Sequence, residues 1–327
     1  MKQRTRKSKP RKSARAKSKA IDRVKNWRDY DKSLVQRGSL TFWVDEAALK
    51  QWVYQGPAQQ GAQFDYSDSA IQTTLMMREV FQLTNRATEG LVRSLFQLLK
   101  VKLKVPDHST LSRRGKTLKV KLPKGAHGEL HLVLDSSGLK VYGEGEWKVR
   151  QHGWSKRRTW RKLHLTIDVE SGEIQAAILT EAGVHDAEVA PQLLQQVEQP
   201  IASVSADGSY DRRNVYEALA VQAPHAQVNI PPRRDAKIWQ HGNCQQPPLA
   251  RDENLRQIRQ QGRQQWKKVS GYHRRSLAET AMFRFKTIFG DHLSARRLET
   301  QSTQFEVRCR ALNQMTRLGM PQSVKVR

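Results

Sequence analysis

The sequence predicts a mixed α/β fold, in which a five-stranded sheet with flanking helices follows a helical N-terminal region. Between residues 131 and 230, short apolar runs recur with the composition of strands, first with turns and then with helical segments between them. Before them, from about residue 68 to residue 114, apolar residues recur at helical spacing. The order β-β-β-α-β-α-β indicates a sheet with both antiparallel and parallel pairs.

Length and charge limit the class of function. The chain has 327 residues, enough for two or three units, and its 58 Lys and Arg against 31 Asp and Glu give a net charge of +27. This excess favours a polyanionic partner, nucleic acid first. No apolar run is long enough to span a membrane. Two cysteines without a CxxC motif and the lack of a secretory apolar segment favour a cytoplasmic protein.

The N-terminal third divides into two parts. Residues 1–20 contain ten Lys or Arg and no acid, which predicts a disordered basic arm that binds phosphates or only improves solubility. Residues 21–125 are predicted to be helical, with helices from Val44 to Trp52, from Ser69 to Leu83, from Thr88 to Leu99 and from Asp107 through Arg113 and Arg114. The last three resemble a DNA-binding helix-turn-helix, with Arg113 and Arg114 as DNA contacts; the alternative is a helical bundle that packs on the next domain.

The predicted α/β domain covers residues 126–320 and is followed by a tail at 321–327. Its predicted strands are His131–Leu134, Arg161–Asp168, Ile174–Leu179, Ile201–Ala206 and Ala226–Ile230. Helices are expected from Asp186 to Val197, from Asp211 to Leu219 and over 305–319, and a polar insert at 233–270. A basic hairpin region at 143–162 contains Lys148, Arg150, Lys156, Arg157, Arg158 and Arg161, and either follows a DNA backbone or is a solvated sheet edge.

One further helix, between Gly271 and Gly290, carries two distinct stripes. The apolar stripe is Leu277, Ala278, Ala281, Phe285 and Ile288, and the opposite stripe is Tyr272, Arg275, Glu279 and Lys286. A carboxylate flanked by arginine and lysine can bind a metal ion while its neighbours bind phosphates. The alternative is a solvated face with an Arg275–Glu279 ion pair.

Two aspartates complete a candidate site. Asp135 and Asp207 each follow a predicted strand, and if those strands are neighbours the two carboxylates lie close together. With Glu279 they form a trio that needs cations, and hard oxygen ligands favour two Mg²⁺ ions, with Mn²⁺ as a substitute. Each aspartate alone is better explained as a turn residue than as a ligand, because Asp-Gly and Asp-Ser-Ser-Gly are common turn sequences, and it is the ordered trio that favours a metal site.

These residues resemble a known family. Tyr272-x2-Arg275-x3-Glu279-x6-Lys286 is similar to the signature of bacterial insertion-sequence DDE transposases, and the text around Asp135 is similar to the insertion sequence five family, 903 type. The segments ADGSYD (206–211) and VPDHSTLSRR (105–114) also match that family. The resemblance implies an RNase H-like catalytic domain and a DNA-binding N-terminal region. It implies that Asp135, Asp207 and Glu279 are catalytic metal ligands, and that Tyr272, Arg275 and Lys286 hold the transposon end.

The function expected from this resemblance is DNA transposition in the bacterial cytoplasm, in association with the nucleoid. The enzyme would bind the terminal inverted repeats of its element, expose 3′-OH groups and join them to target DNA, without a cofactor other than metal ions. Since two ends react together, a homodimer is the expected active form. Two alternatives remain: a non-catalytic DNA-binding protein or transposition inhibitor, and an RNase H-like nuclease that cuts without joining.

Overall fold

The computed structural model of the chain describes residues 21–57, 61, 63–122, 128–141, 160–240 and 248–326. The predicted basic arm lies outside these residues, and so do five basic residues of the predicted hairpin: Lys148, Arg150, Lys156, Arg157 and Arg158. In the described part of the chain, no helix combines the length and the hydropathy needed to cross a membrane.

The first described segment is mainly helical. Its elements are β1 (Ile21–Val24), α1 (Trp27–Gln36), α2 (Leu40–Trp43), α3 (Glu46–Lys50), α4 (Asp68–Val80), α5 (Asn85–Leu98) and α6 (His108–Arg114). The predicted start of α6 is confirmed, because Asp107 accepts from the backbone N–H of Thr110. The predicted caps Ser69 and Thr88 are wrong. Ser67 and Thr84 cap α4 and α5 instead, each with an extended backbone that lets its hydroxyl accept from the helix.

The central sheet confirms the predicted strand order. Its strands are β2 (Leu130–Val141), β3 (Trp160–Asp168), β4 (Ile174–Glu181), β5 (Ile201–Ala206), β6 (Gln227–Asn229) and β7 (His292–Leu293). The spatial order is β4-β3-β2-β5-β6, and β7 also pairs with β2. The β2–β3 and β3–β4 pairs are antiparallel, whereas β5 pairs in parallel with both β2 and β6. The sheet therefore has one strand more than the five predicted.

Strand β2 is much longer than predicted. The sequence Asp135-Ser-Ser-Gly138 indicates a turn, but the strand continues through it to Val141. Pairing with β3 is continuous from Leu132 to Lys140, and Lys140 and Val141 then pair with β7. Ladder hydrogen bonds to β3 therefore outweigh the local turn preference, and Asp135 lies within the strand rather than after it.

The two faces of the sheet bury different cores. Val133 and Leu139 of β2 pack with helices α4 and α5 and with the helices at the C-terminal end, whereas Leu132 and Leu134 pack with the helices that follow β4 and β5. This alternation is the period of two expected for a strand covered on both faces. The N-terminal helices thus share a core with the sheet, as the helical-bundle interpretation predicted.

The remaining elements surround the sheet and the carboxyl ends of its parallel strands. They are α7 (Asp186–Gln195), a 3₁₀ turn (Gly208–Tyr210), α8 (Arg213–Gln222), α9 (Ala250–Gln261), α10 (Arg263–Val269), a 3₁₀ turn (Tyr272–Arg275), α11 (Ser276–Phe289), α12 (Leu298–Leu318) and β8 (Ser323–Val326). Helix α12 begins seven residues earlier than the predicted start at 305. Strand β8 pairs antiparallel with β1 and joins the two ends of the described chain.

The polar insert contains helices α9 and α10. Although it is too polar for a core of its own, it buries Leu255 and Trp266 against the rest of the protein. The Asn254 side-chain amide donates to the backbone carbonyl of Val228 in β6 and accepts from the Trp266 indole N–H. The insert is therefore fastened to the edge of the sheet.

The helix predicted between Gly271 and Gly290 is divided. Its first turn, Tyr272–Arg275, is a 3₁₀ turn that begins after Gly271, whose φ of +68° glycine adopts readily. The α-helix α11 begins at Ser276. Leu277, predicted for the apolar face, is 40% exposed, while Met282 and Phe289 are buried there instead. The 3₁₀ turn rotates Tyr272 and Arg275 relative to a uniform α-helix, whereas the residues from Ser276 onward keep α-helical spacing.

Candidate active site

Asp135 and Asp207 lie side by side on neighbouring strands. Leu134 of β2 pairs with Ala206 of β5 in the parallel register, and the two aspartates are the next residue on each strand. Strand β5 ends at this point, and Asp207 accepts from the backbone N–H of Ser209 at 2.8 Å to start the 3₁₀ turn. The prediction that these two strands are neighbours is confirmed.

Arg275 connects Asp135 with Glu279. Its Nη1 lies 3.6 Å from Asp135 Oδ1, and its Nη2 donates to Glu279 Oε1 at 2.8 Å. Asp135 shares its face of β2 with Val133, whose side chain packs in the core beneath α11. Because Asp135 lies within the strand on this face, α11 places Glu279 near it without having to reach over the end of the sheet.

The electrostatic environment of Asp135 disfavours its charge. Burial is the main cause that raises the pKa of its carboxyl above the ordinary value, and the charges of Asp207 and Glu279 raise it further. A backbone hydrogen bond at Ser136 and the charge of Arg275 act in the opposite direction. The three carboxylates thus influence one another, with Arg275 as a counter-ion.

The residues present fit a divalent metal in their chemistry, because carboxylate oxygens are the ligands that Mg²⁺ and Mn²⁺ prefer. In their present positions, no group of three His, Cys, Asp or Glu among the described residues is close enough to hold an ion. The Arg275 guanidinium contacts two of the three carboxylates, and the Glu279 side chain is 60% exposed. Closer approach of the trio would require Arg275 to release Glu279.

Tyr272 and Lys286 lie on either side of Glu279 along the chain. The Tyr272 ring packs 5.8 Å from the buried Trp266 ring, and Lys267 Nζ lies 5.1 Å from its centroid. Burial raises the pKa of the Tyr272 hydroxyl, so it remains a neutral donor near neutral pH. Lys286 Nζ donates to Ser137 Oγ at 2.6 Å, which joins α11 to β2 two residues beyond Asp135.

Two protein-family models match this chain. Both are described as a transposase DDE domain, and they match residues 35–144 and 126–314. The second match covers more than half of the chain and includes all three carboxylates. The chain belongs to the transposase DDE domain family. This agrees with the resemblance to DDE transposases and establishes the protein as a transposase.

A solved structure is also similar to the transposase, at a low level. It is a cryo-EM structure of a piggyBac transposase synaptic complex with hairpin DNA, with 12% sequence identity and a TM-score of 0.38. The similarity covers 86% of this chain and 73% of that chain. The RNase H-like fold predicted for the catalytic domain is instead supported by the strand order of the sheet and by the family match.

A buried polar network lies behind the two aspartates and was missed by the sequence analysis. Asp186, the first residue of α7, receives Lys162 Nζ at 2.7 Å and the Ser209 hydroxyl at 3.4 Å. Its Oδ1 also lies 3.5 Å from Nδ1 of the fully buried His164. Burial raises the pKa of Asp186, but side-chain hydrogen bonds from Lys162 and Ser136 lower it. The pKa of Asp186 is lowered overall.

Asp186 therefore touches one residue beside each catalytic candidate. Ser136 follows Asp135, and Ser209 lies two residues after Asp207 and also donates to its carboxylate at 2.5 Å. The sequence pattern reads Asp186 only as a helix cap, although the N-cap is in fact His185. Only the pairing of β2 with β3 and β5 brings these serines to one carboxylate.

The predicted DNA contacts of the described chain fall into different environments. Arg113 is exposed on α6. Arg114 is buried, bonds to Asp68 and to the Tyr66 carbonyl, and stacks 3.9 Å from the Phe64 ring centroid. Arg114 is therefore not available to contact DNA, because Asp68, the Tyr66 carbonyl and the Phe64 ring hold its guanidinium within the protein.

Arg161, the one predicted DNA contact of the basic hairpin region that lies among the described residues, is also engaged. Its Nε donates to Gln301 Oε1 at 2.8 Å, and its Nη1 lies 4.0 Å from a carboxylate oxygen of Glu181. Its side chain is 16% exposed. These contacts join β3 to the start of α12, so its role in DNA binding stays a prediction.

Proposed function

We propose that this transposase binds the terminal inverted repeats of its own insertion sequence, cleaves at the ends to expose 3′-OH groups, and joins them to target DNA. The observation that carries this proposal is the placement of Asp135 and Asp207 at adjoining positions of two parallel strands, with Glu279 linked to Asp135 through Arg275. This is a cluster of acids in a protein with a net charge of +27.

Asp135, Asp207 and Glu279 are the proposed ligands of two Mg²⁺ ions, for which Mn²⁺ can substitute. When bound, such ions supply activation of a water or 3′-OH nucleophile and stabilisation of the leaving oxygen at phosphorus. The protein's own contribution is to hold three carboxylates together. Three negative charges beside one arginine are unfavourable. The pKa of Asp135 is raised mainly by burial, and the charges of Asp207 and Glu279 add to this. Added cations relieve this repulsion.

Three basic or aromatic side chains, Arg275, Tyr272 and Lys286, are proposed to hold the DNA end. Arg275 can exchange Glu279 for a phosphate oxygen, since a guanidinium binds both anions with the same fork of N–H groups. Tyr272 and Lys286 flank it, and Lys286 is held at Ser137 beside the reacting carboxylates. Arg113 and the basic hairpin residues Lys148, Arg150, Arg157, Arg158 and Arg161 are proposed to contact the backbone farther away.

The remaining assignments rest on the sequence resemblance. We place the element in the insertion sequence five family, 903 type, from the motifs around Asp135 and Glu279. Residues 21–125 are proposed as the DNA-binding region and residues 126–320 as the catalytic domain. Because two transposon ends must react together, the active form is proposed to be a homodimer.

A strand-transfer assay tests the function. Purified protein is mixed with labelled duplex carrying the element's end, target plasmid and Mg²⁺, and the joined product is measured on a gel. The test variant is Glu279→Gln, and the matched control is Glu46→Gln, which removes an exposed carboxylate that pairs with Lys50 on α3. We expect joining by the wild type and by Glu46→Gln, and none by Glu279→Gln.

Other outcomes separate the alternatives. Cleavage without joining, lost in Glu279→Gln, would show a nuclease rather than a transposase reaction. Binding without any cleavage in Mg²⁺ or Mn²⁺ would show a non-catalytic DNA-binding protein. Activity that survives a chelator would contradict the proposed metal ions while leaving the DNA reaction intact.

A further inference from the structure

A groove lies between the N-terminal helices and the C-terminal end of α11. It consists of two adjoining cavities of about 870 Å³ and 620 Å³, which share the lining residues Thr84, Asn85, Ser112 and Lys116. One wall is formed by the starts of α5 and α6, and the other by β7 and the start of α12. We call this the basic groove.

The charged side chains exposed along the basic groove all have the same sign. They are Arg86, Arg113, Lys116, Arg296 and Arg297. Among the described lining residues, the one carboxylate is Glu79, which is only 5% exposed. Glu79 is neutralised by Arg78 at 2.5 Å and by Arg308 at 2.6 Å, so it does not offset the five exposed cations.

The uncharged lining residues add hydrogen-bond donors but no stacking surface. Thr84, Asn85 and Ser112 present hydroxyl and amide groups, of the kind that bind phosphate oxygens, whereas the Ser109 hydroxyl already donates to Asp107. The one aromatic side chain of phenylalanine, tyrosine or tryptophan among the described lining residues is Phe289, and it is buried. Single-stranded DNA is usually held by exposed aromatic rings, so this lining favours the backbone of a duplex.

The basic groove lies at a defined distance from the carboxylates. Helix α11 and strand β2 run alongside each other, as Lys286 on Ser137 shows, and both lead from the carboxylates to the groove. Along α11, Gly290 is roughly 16 Å beyond Glu279 at the rise of an α-helix. Along β2, the pairing with β7 begins at Lys140, roughly 17 Å beyond Asp135 at the rise of a strand.

We propose that the basic groove binds the sugar-phosphate backbone of duplex DNA, about half a helical turn (roughly five base pairs) from the reacting phosphate. This inference rests on the proposed function, since that function places a phosphate at the carboxylates. A duplex that runs from the site along β2 and α11 presents its backbone to the groove after this distance. The two walls then contact the same stretch of backbone from the N-terminal helices and from the catalytic domain.

The test is the salt dependence of DNA binding. A labelled duplex carrying the element's end is titrated with protein at several salt concentrations, and log K is plotted against log salt concentration. Lys116→Gln with Arg297→Gln removes one cation from each wall. If both contact phosphates, the slope becomes less steep by about 1.8, because each lost phosphate contact contributes about 0.9.

A matched double variant controls for total charge. Arg256→Gln with Arg259→Gln also removes two cations, both of them on α9 and neither of them lining the groove. We expect this control to keep the wild-type slope. An equal decrease of slope in both double variants, or none in the groove variant, would overturn the proposal. Thermal unfolding of both variants confirms that neither change has altered the fold.

The same samples separate this proposal from the proposed function. The strand-transfer assay with the wild type reports the function, whereas the slope of the groove variant reports the groove. Glu279→Gln should keep the wild-type slope while it loses joining. If the wild type joins no DNA but the slope of the groove variant is still less steep than that of the wild type, the proposed transposition reaction is wrong and the proposed role of the groove is supported. If the wild type joins DNA and the slope is unchanged in the groove variant, the groove is wrong.

Discussion

The carboxylate site and the basic groove lie toward opposite ends of α11 and are opposite in charge. At the site, three carboxylates surround one arginine, Arg275, which contacts two of them. In the groove, five exposed cations surround one carboxylate, Glu79, which is buried and paired. The site has groups suited to chemistry but repels a polyanion, whereas the groove attracts a polyanion and exposes no carboxylate. The comparison shows how binding and chemistry are separated along one helix.

The two regions also differ in their buried support. Beneath the site, Asp186 links Lys162 with Ser136 of β2 and with Ser209 of the turn that follows Asp207. Beneath the groove, Glu79 links α4 to Arg308 and Gln304 of α12. The first network holds β2 to the turn after β5, while the second fastens the N-terminal helices to the C-terminal helix. Loss of the first should affect chemistry, and loss of the second should affect folding.

The largest expected effect is on chemistry alone. Asp207→Asn removes a charge from the site while keeping the side-chain shape and the bond from Ser209. We expect strand transfer to fall by at least about 10⁴-fold, as for other side chains that take part directly in catalysis. Duplex binding, measured by fluorescence anisotropy, should not weaken. Weaker binding in Asp207→Asn would contradict the separation of chemistry from binding.

The second effect is on folding. Glu79→Gln leaves Arg78 and Arg308 without their buried counter-charge, and such a loss costs about 3–5 kcal/mol of unfolding free energy. Urea unfolding followed by circular dichroism measures it. The control is Glu46→Gln, which breaks an ion pair whose two side chains are 72% and 82% exposed, and should change the midpoint little. A small effect in Glu79→Gln would mean that the N-terminal helices are not held through this network.

The third effect is a pH dependence of stability that arises near the site. His164 is the one buried histidine of the described chain, and burial lowers its pKa from 6.5 to about 4. Between these values the unfolded chain binds more protons than the folded one, so stability falls as pH falls. The contribution is fully present above pH 6.5 and is lost by about pH 4. Its size is about 3 kcal/mol from the shift.

This prediction is tested by a difference between variants. Between pH 6.5 and pH 4, the unfolding free energy of His164→Gln should decline less than that of the wild type. The unfolding free energy of His273→Gln, which replaces an exposed histidine, should decline as in the wild type. Unfolding free energies measured at several pH values give the comparison. An equal decline in wild type and His164→Gln would contradict the assignment, because the effect would then come from other groups.

The fold was predictable where the signal is local. The bounds of β5 agree at both ends, because a short apolar run is followed by Asp-Gly. Asp107 is predictable as a cap, because its carboxylate accepts from the backbone N–H groups of the second and third residues after it. Strand β2 was cut short because its turn sequence is overridden by pairing with β3 and β7. The β1–β8 pair was missed because its two strands lie at opposite ends of the chain.

The candidate site was predictable in its members but not in its arrangement. Asp135, Asp207 and Glu279 were found from strand ends and helical spacing, but Asp135 lies within its strand. That Arg275 bridges Asp135 and Glu279 depends on how α11 packs on β2. Asp186 carries no pattern of its own, since its partners come from three separate strands and loops. Contacts of this kind are set by sheet register rather than by sequence spacing.

The smallest expected effect distinguishes two neighbouring arginines. Arg113 is exposed in the basic groove, and Arg113→Gln should weaken duplex binding at low salt. Its loss of affinity between 50 and 200 mM salt should be about threefold smaller than that of the wild type, because one phosphate contact fewer is broken by salt. Its stability should not change. Arg114 is buried against Asp68 and Phe64, and Arg114→Gln should cost about 1–3 kcal/mol of unfolding free energy because polar partners lose their donor.

Each arginine is the control for the other, since both variants lose one charge at adjacent positions of α6. Anisotropy titrations and urea unfolding are measured on both. If Arg114→Gln weakened binding as a folded protein while Arg113→Gln did not, the DNA would contact α6 from the side opposite the groove. That result would move the binding surface away from Lys116 and Arg297. If Arg113→Gln alone weakens binding, the exposed face of α6 belongs to the groove, and the burial of Arg114 accounts for its purely structural role.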